Sequence, residues 1–168
     1  MTDSPNVRAY DPDDAGDRRA LWRLKTGFET ELGAKTGPKE KSETYEAKLT
    51  DEYRERWLDW VERCVEDDRQ CVSLAETDGV VGYVFVLPER LSFIWDAAVV
   101  NELYVVPEAR GTGVADALLD RAVEVAREQD LPLDRLLLDV DESNGRARRF
   151  YARHGFEPWG AVVARELQ

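Results

Sequence analysis

Cysteine, histidine, lysine and long apolar runs are scarce in this chain, and each scarcity removes a class of function. Its two cysteines, Cys64 and Cys71, stand in neither a C-x-x-C nor any other metal-ligand spacing, and two in 168 residues make no disulfide scaffold. Both are expected reduced, in or near the core. With His154 as the only histidine, no His/Cys cluster supports a metal site. No stretch of 18 apolar residues is available to span a membrane, and the opening MTDSPNVRAYDPDD lacks the basic start and apolar centre of a secretion signal. The expectation is a soluble, cytoplasmic protein. Lysine is outnumbered by arginine 5 to 18, and every lysine falls between Lys25 and Lys48. The formal net charge of -12 argues against nucleic acid as a partner, because phosphate-binding domains carry a basic face. Acid spread over most of the surface is the pattern of proteins adapted to high salt, where screening relieves self-repulsion. Attraction of a cationic substrate is the alternative. The length suits one domain, residues 1–168, and no repeat, low-complexity tract or linker divides it.

Along the chain, VRAY reads as a short strand. Asp11, Pro12, Asp13 and Asp14 then read as an N-cap, a proline at the first helical position and an acidic first turn. Leu21, Leu24, Phe28 and Leu32 share one face of the helix that follows, and GAKTGPKEKSET reads as a loop. The next helix carries Leu49, Tyr53, Trp57, Trp60, Val61 and Cys64 on its apolar face, an aromatic stripe read as core with a part available to an acceptor pocket. From Gln70 the period shortens. QCVSLAET and VVGYVFVL are strands joined by an Asp78–Gly79 hairpin, and AAVVNELYVV is a third long strand. Val114, Ala115, Leu118, Leu119, Ala122, Val125 and Ala126 trace a helical face up to Gln129, with Pro132 marking the loop beyond. RLLLDV is a further strand, SNGRARRFYARHGF a helix closed by Gly155, and AVVARELQ a final strand. Hairpin strands in the middle with crossover helices around the later ones predict an α/β (α+β) fold, a mixed sheet covered by helices on both faces.

The stretch PEARGTGVADALL opens that later helix with two glycines and an arginine. A glycine-rich turn at a helix start leaves backbone N–H groups unpaired at the positive end of the helix dipole, which makes an anion site. A P-loop is excluded, since no GxxxxGK string followed by Ser or Thr exists. A dinucleotide fingerprint fails at its third glycine, where Asp116 stands. What fits is RxxGxA, with Arg110, Gly113 and Ala115.

NELYVVPEARGTGVADALL is similar to the acyl-CoA binding motif of the GNAT N-acetyltransferases: Gln or Arg, two residues, Gly, one residue, then Gly or Ala. NGRARRFYARHGFEP resembles the family's later motif, an asparagine followed by a helix with FY and closed by GF. The blocks keep the family's order with a strand between them, so the resemblance covers roughly residues 70 to 168. It implies a three-layer fold with a mixed, mostly antiparallel central sheet, and a splay between the ELYVV and RLLLDV strands that flank the cofactor-binding helix. It implies acetyl-CoA as cosubstrate, its pantetheine arm lying in the splay against backbone groups of Leu103, Tyr104 and Val105. The diphosphate would rest on the N–H groups of Arg110, Gly111, Thr112, Gly113, Val114 and Ala115, with the Arg110 guanidinium available to it.

The implied reaction transfers the acetyl group to a primary amine of a small molecule or protein, by direct attack in a ternary complex. The Val105 N–H would stabilise the oxyanion, Tyr151 would protonate the thiolate and Asn144 would contact the cofactor. Glu102, expected on the strand before a bulge and set among Val100, Leu103 and Tyr104, is the base directly or through water. A solvent-facing strand carboxylate is the other reading. His154, next to the helix-closing Gly155, reads as structural, Phe150 as core, and Asp139 and Asp141 as polar punctuation. A non-catalytic acyl-CoA binder is the alternative function. No membrane partner is implied, and a homodimer is left open. Because like charges cover most of the surface, the melting temperature should rise along a salt series. A flat series would point to a localised acidic patch built for a cationic acceptor.

Overall fold

The computed structural model describes residues 4–35 and 39–167. Five strands, β1 (Asn6–Ala9), β2 (Val72–Glu76), β3 (Val80–Val86), β4 (Ala98–Val105) and β5 (Leu136–Leu138), form one sheet in that spatial order. Every pairing is antiparallel except β4 with β5, which is parallel. Alternation along the strands divides two cores. Leu74, Tyr83 and Phe85 face Leu21 and Leu24 of α1 (Ala15–Lys35) and Trp57, Leu58 and Val61 of α3 (Asp51–Asp67). Their neighbours Ala75, Val84 and Val86 face Val114, Leu118, Leu119 and Ala122 of α4 (Val114–Arg127). Phe150 and Tyr151 of α5 (Gly145–Arg153) pack against that second core. The result is the expected mixed, mostly antiparallel sheet between helical layers. Both cysteines are buried and free.

Several local expectations are corrected. Helix α1 begins at Ala15, and its N-cap is Asp14, whose Oδ1 accepts from the Asp17 N–H at 2.8 Å. Asp11 is spent on a turn of its own, accepting from the Asp13 N–H at 2.9 Å, which leaves Pro12 outside the helix. Most of the segment expected as a loop is helical: α1 runs to Lys35 and α2 spans Lys39–Ala47, with only residues 36–38 outside the description. KEKSETYEA is rich in residues of high helix propensity, which outweighs its polarity. Helix α3 is capped by Thr50, whose hydroxyl accepts from the Tyr53 N–H, so Leu49 precedes it. The RLLLDV strand is reduced to three paired residues. AVVARELQ forms no strand over residues 161–167, where Val162, Val163 and Leu167 are exposed, and Gln168 lies outside the described residues. Strand propensity needs a partner edge, and this segment meets none.

The start of the chain is held by Asp17, which is buried. Arg8 of β1 donates to both its oxygens at 2.7 and 2.8 Å and to Glu76 of β2 at 2.8 Å, while the Asp11 N–H adds a bond at 3.0 Å. These hydrogen bonds hold the Asp17 carboxyl below its ordinary value, Arg8 contributing most. Asp17→Asn should cost about 2 kcal/mol, the scale of hydrogen bonds to a charged group. The folded pKa lies below the unfolded one, so the contribution is present above the ordinary carboxylate pKa of about 3.9 and is lost as pH falls through the folded value. Melts of both proteins from neutral to acid pH should therefore converge.

Candidate functional site

Two irregularities of β4 make the site. Phe85 of β3 pairs with Glu102 but its neighbour Val86 pairs with Val100, so Asn101 is an extra residue that bulges the strand. The bulge precedes Glu102 instead of following it. Parallel pairing with β5 is confined to Ala98–Val100, and from Asn101 onward the two strands part. A cavity of about 450 Å³ fills the gap, walled by Val100–Val105, by Leu138–Asp141, by α5 and by Phe28, Glu31 and Leu32 of α1. Gly27 lets that helix come close, since a Cβ there would lie 2.6 Å from the Tyr104 hydroxyl. The Val106 N–H bonds Val81 on β3 at 2.9 Å, so by strand alternation the main-chain groups of Leu103 and Val105 turn toward the gap.

The far end of the gap is the glycine turn. After Pro107–Ala109, Gly111 and Gly113 adopt φ of +76° and +87°, and α4 begins at Val114 with no side-chain cap. A Cβ at either glycine would meet nothing within 4 Å, so the backbone conformation and not crowding calls for glycine. The Thr112 hydroxyl donates to the Ala109 carbonyl. Val114 buries its side chain in the α4 core and Ala115 lines the cavity, so Val114 can offer a ligand only its N–H. The Arg110 guanidinium, expected to be available to the diphosphate, is already committed within the protein. Its Nε donates to the Val105 carbonyl at 3.0 Å, and an NH2 group donates to Glu31 at 2.5 Å. The second oxygen of Glu31 takes Arg146 of α5 at 2.8 Å, so one carboxylate ties α1 to both walls.

On α5, Asn144 lines the cavity and caps the helix, its Oδ1 accepting from the Ala147 N–H at 3.2 Å. Tyr151 is wedged between the rings of Phe150 and Phe156, with centroids 5.2 and 5.5 Å away, and burial pushes its phenol up to about 12. Phe150 is not pure core, since it too lines the cavity. His154 lies 2.7 Å from Asp116 Oδ1, a structural tie from α5 to the first turn of α4. Burial alone would raise the Asp116 pKa, but the hydrogen bonds from His154 and Arg153 bring it below the usual range. Asp141 accepts from the Ser143 N–H and hydroxyl in the turn before α5, and Asp139 is exposed.

Glu102 is 6% exposed, which removes the solvent-facing reading. Its surroundings are not the apolar ones expected. Tyr83 Oη donates to Oε1 at 2.7 Å, while Lys25 Nζ and the Asn101 amide donate to Oε2 at 2.8 and 3.3 Å. Lys25 is 3% exposed and also donates to Glu29 at 2.5 Å, with the rings of Phe28 and Trp57 5.3 and 5.0 Å from the ammonium. Glu29 in turn meets Lys48 at 2.8 Å. Burial would lower the Lys25 pKa, but the two carboxylates outweigh it and raise it. For Glu29 burial acts upward and the two lysines prevail, lowering it. Burial, with Glu102 beside it, holds the Tyr83 phenol well above its ordinary range. The sequence reading missed Lys25, Glu29, Glu31 and Tyr83. A Lys–Glu pair four residues apart, beginning four residues after Leu21 on a buried stripe, is the signal that was there.

Among the described residues no group of three or more His, Cys, Asp or Glu side chains is placed to hold a metal, and no helix is long and apolar enough to cross a membrane. The profile of the acetyltransferase (GNAT) family matches residues 37–156. An uncharacterised N-acetyltransferase of Archaeoglobus fulgidus is 39% identical over 88 residues, 51% of this chain and 58% of that protein. Streptothricin acetyltransferase A of Bacillus subtilis is 31% identical over 54% of this chain and 56% of its own length. The match thus spans little more than half of these curated relatives. In fold, the chain resembles the PaiA N-acetyltransferase of Thermoplasma acidophilum, solved in complex with coenzyme A: TM-score 0.71, 19% identity, 92% of this chain and 90% of that one.

Proposed function

The chain belongs to the acetyltransferase (GNAT) family, and on that premise we propose that it transfers the acetyl group of acetyl-CoA to a primary amine by direct attack in a ternary complex. The observation that carries the reading is the continuous cleft from the parted β4 and β5 to the positive-φ glycines at the start of α4. An extended arm with amide groups fits beside Leu103 and Val105, whose main-chain groups face the gap, and a diphosphate fits the open N–H groups from Gly111 to Ala115. That a protein of the same fold from Thermoplasma acidophilum was solved in complex with coenzyme A supports an acyl-CoA cosubstrate. Relatives bear the names of acetyltransferases for mycothiol and for streptothricin, so the acceptor is kept at the level of a primary amine.

The residues divide the work. Glu102 takes a proton from the acceptor ammonium, directly or through one water, so that the amine nitrogen can attack the thioester carbon. The Val105 N–H donates to the oxygen as it becomes negative. As the carbon–sulfur bond breaks, Tyr151 gives its proton to the departing thiolate, and the proton shed by the new amide nitrogen returns through water to the phenolate. With its phenol at about 12, Tyr151 carries that proton throughout the neutral range. Bound diphosphate competes with Glu31 for Arg110, which ties cofactor entry to the α1 contact.

Acetyl-CoA should raise the melting temperature, as any ligand of the native state does. In Gly113→Val that rise should vanish, because a branched residue resists φ of +87° at a cost of about 1–2 kcal/mol and crowds the anion path. Unchanged acetyl-CoA affinity in Gly113→Val would reject the placement. Tyr151→Phe removes only the hydroxyl. Turnover of an amine panel, followed by thiol release, should fall roughly ten- to a thousandfold with little change in acetyl-CoA affinity. Wild-type turnover under conditions where chemistry limits the rate would assign the acid to water or another group. Binding of acetyl-CoA without thiol release across the panel would leave a binding protein.

A further inference from the structure

We propose that Lys25 is the positioning residue that keeps Glu102 an oriented carboxylate ready to accept the amine's proton, and that Glu29 sets how strongly it does so. The proposal rests on the reading of Glu102 as the general base. Lys25 Nζ bridges Glu29 Oε1 and Glu102 Oε2. Enclosed by Phe28 and Trp57 and almost without solvent, its charge is balanced by those carboxylates and not by water. Glu102 is fixed from three sides. Tyr83 holds one oxygen, Lys25 and Asn101 the other, and lone-pair capacity remains on Oε1 for a proton from the cleft that Glu102 lines.

The groups that set the field at Glu102 come from every element around it. Helix α1 supplies Lys25 and Glu29, β3 supplies Tyr83, α3 supplies Tyr53 near Tyr83, and Lys48 acts through Glu29. Glu31, Arg110, Asp116, Asp139, Asp141, Arg146, Arg149, Tyr151 and Arg153 line the same cleft, so α1, the glycine turn, α4 and α5 also bring charge to it. Among the described residues, Lys25 is the cation in salt-bridge contact with Glu102. An opposite charge at contact favours the ionised carboxylate, and a like charge one step further away opposes it. When Glu102 takes up a proton, Lys25 keeps Glu29 as its counter-charge, so no buried ion is left alone. Proton uptake at the base thus avoids the penalty of an isolated interior charge.

Lys25 and Glu29 bear opposite charges, so their removal should move the titration of Glu102 in opposite directions, whereas mere loss of packing between α1 and β4 would disturb it in the same way in both variants. With side-chain 13C-labelled glutamate, the Glu102 carboxyl is assigned as the NMR signal lost in Glu102→Gln. Relative to the unsubstituted protein, Lys25→Met should move the midpoint of that signal upward and Glu29→Gln should move it downward. Midpoints that stay fixed, or that move the same way in both variants, overturn the proposal. If Lys25→Met does not fold, Glu29→Gln decides alone. It keeps the Lys25–Glu102 contact and frees only the partly exposed Lys48, so a downward shift supports the proposal and an unchanged or upward one overturns it. Thiol release by Glu102→Gln is the separate check on the base. Wild-type turnover there would sink that reading while the titration result still stands.

Discussion

The parting of β4 from β5 is the constraint on which the site depends. Main-chain donors and acceptors removed from water need partners, so two neighbouring strands that stop pairing leave groups looking for a third. The extra residue at Asn101 turns β4, β5 ends its pairing at Leu138, and the edge of β4 from Asn101 to Val105, still paired with β3 on its other side, becomes one wall of a cavity. A partner that is itself strand-like and rich in amides suits such a wall better than a compact ligand. The glycine turn then extends the wall into the N-terminus of α4, where the demand changes from amide to anion.

Around this gap the protein places its charges in the interior, which is costly unless each is matched. Lys25, Glu29 and Glu102 are all buried, and they lie under the α1 face that also carries Leu21 and Leu24. Replacing such a set with apolar residues of the same shape is often neutral or stabilising, whereas removing one member is destabilising. Stability alone is therefore a weak reason for such a set beside the cleft. Glu31 plays a comparable part on the outer wall, one carboxylate shared by Arg110 and Arg146 where an anion is expected.

The sequence was most informative where local chemistry decides structure. Asp78–Gly79 closes its hairpin, Gly111, Gly113 and Gly155 take the positive φ their positions demand, and the aromatic stripe of α3 supplies Trp57 to the core. Local pattern and structure disagree between Gly33 and Thr44, where the described residues, mostly polar and helix-favouring, form helix instead of loop, and in AVVARELQ, where strand propensity yields no strand over residues 161–167. Propensity describes what a segment can do once a neighbour accepts it.

By itself the sequence determined the class of fold, the strands and helices from β2 to α5, the glycine turn before α4 and the two motif blocks, because these rest on periodicity and on residues whose backbone chemistry is local. Only the tertiary structure decided that Arg110 is already paired with Glu31, that Asn144 spends its carbonyl on a helix cap, and that Glu102 sits in a cage made by Lys25, Tyr83 and Asn101. Lys25 and Glu102 stand 77 positions apart in the chain. No local pattern connects them, and they meet because α1 packs across the same sheet face toward which the bulge in β4 turns Glu102.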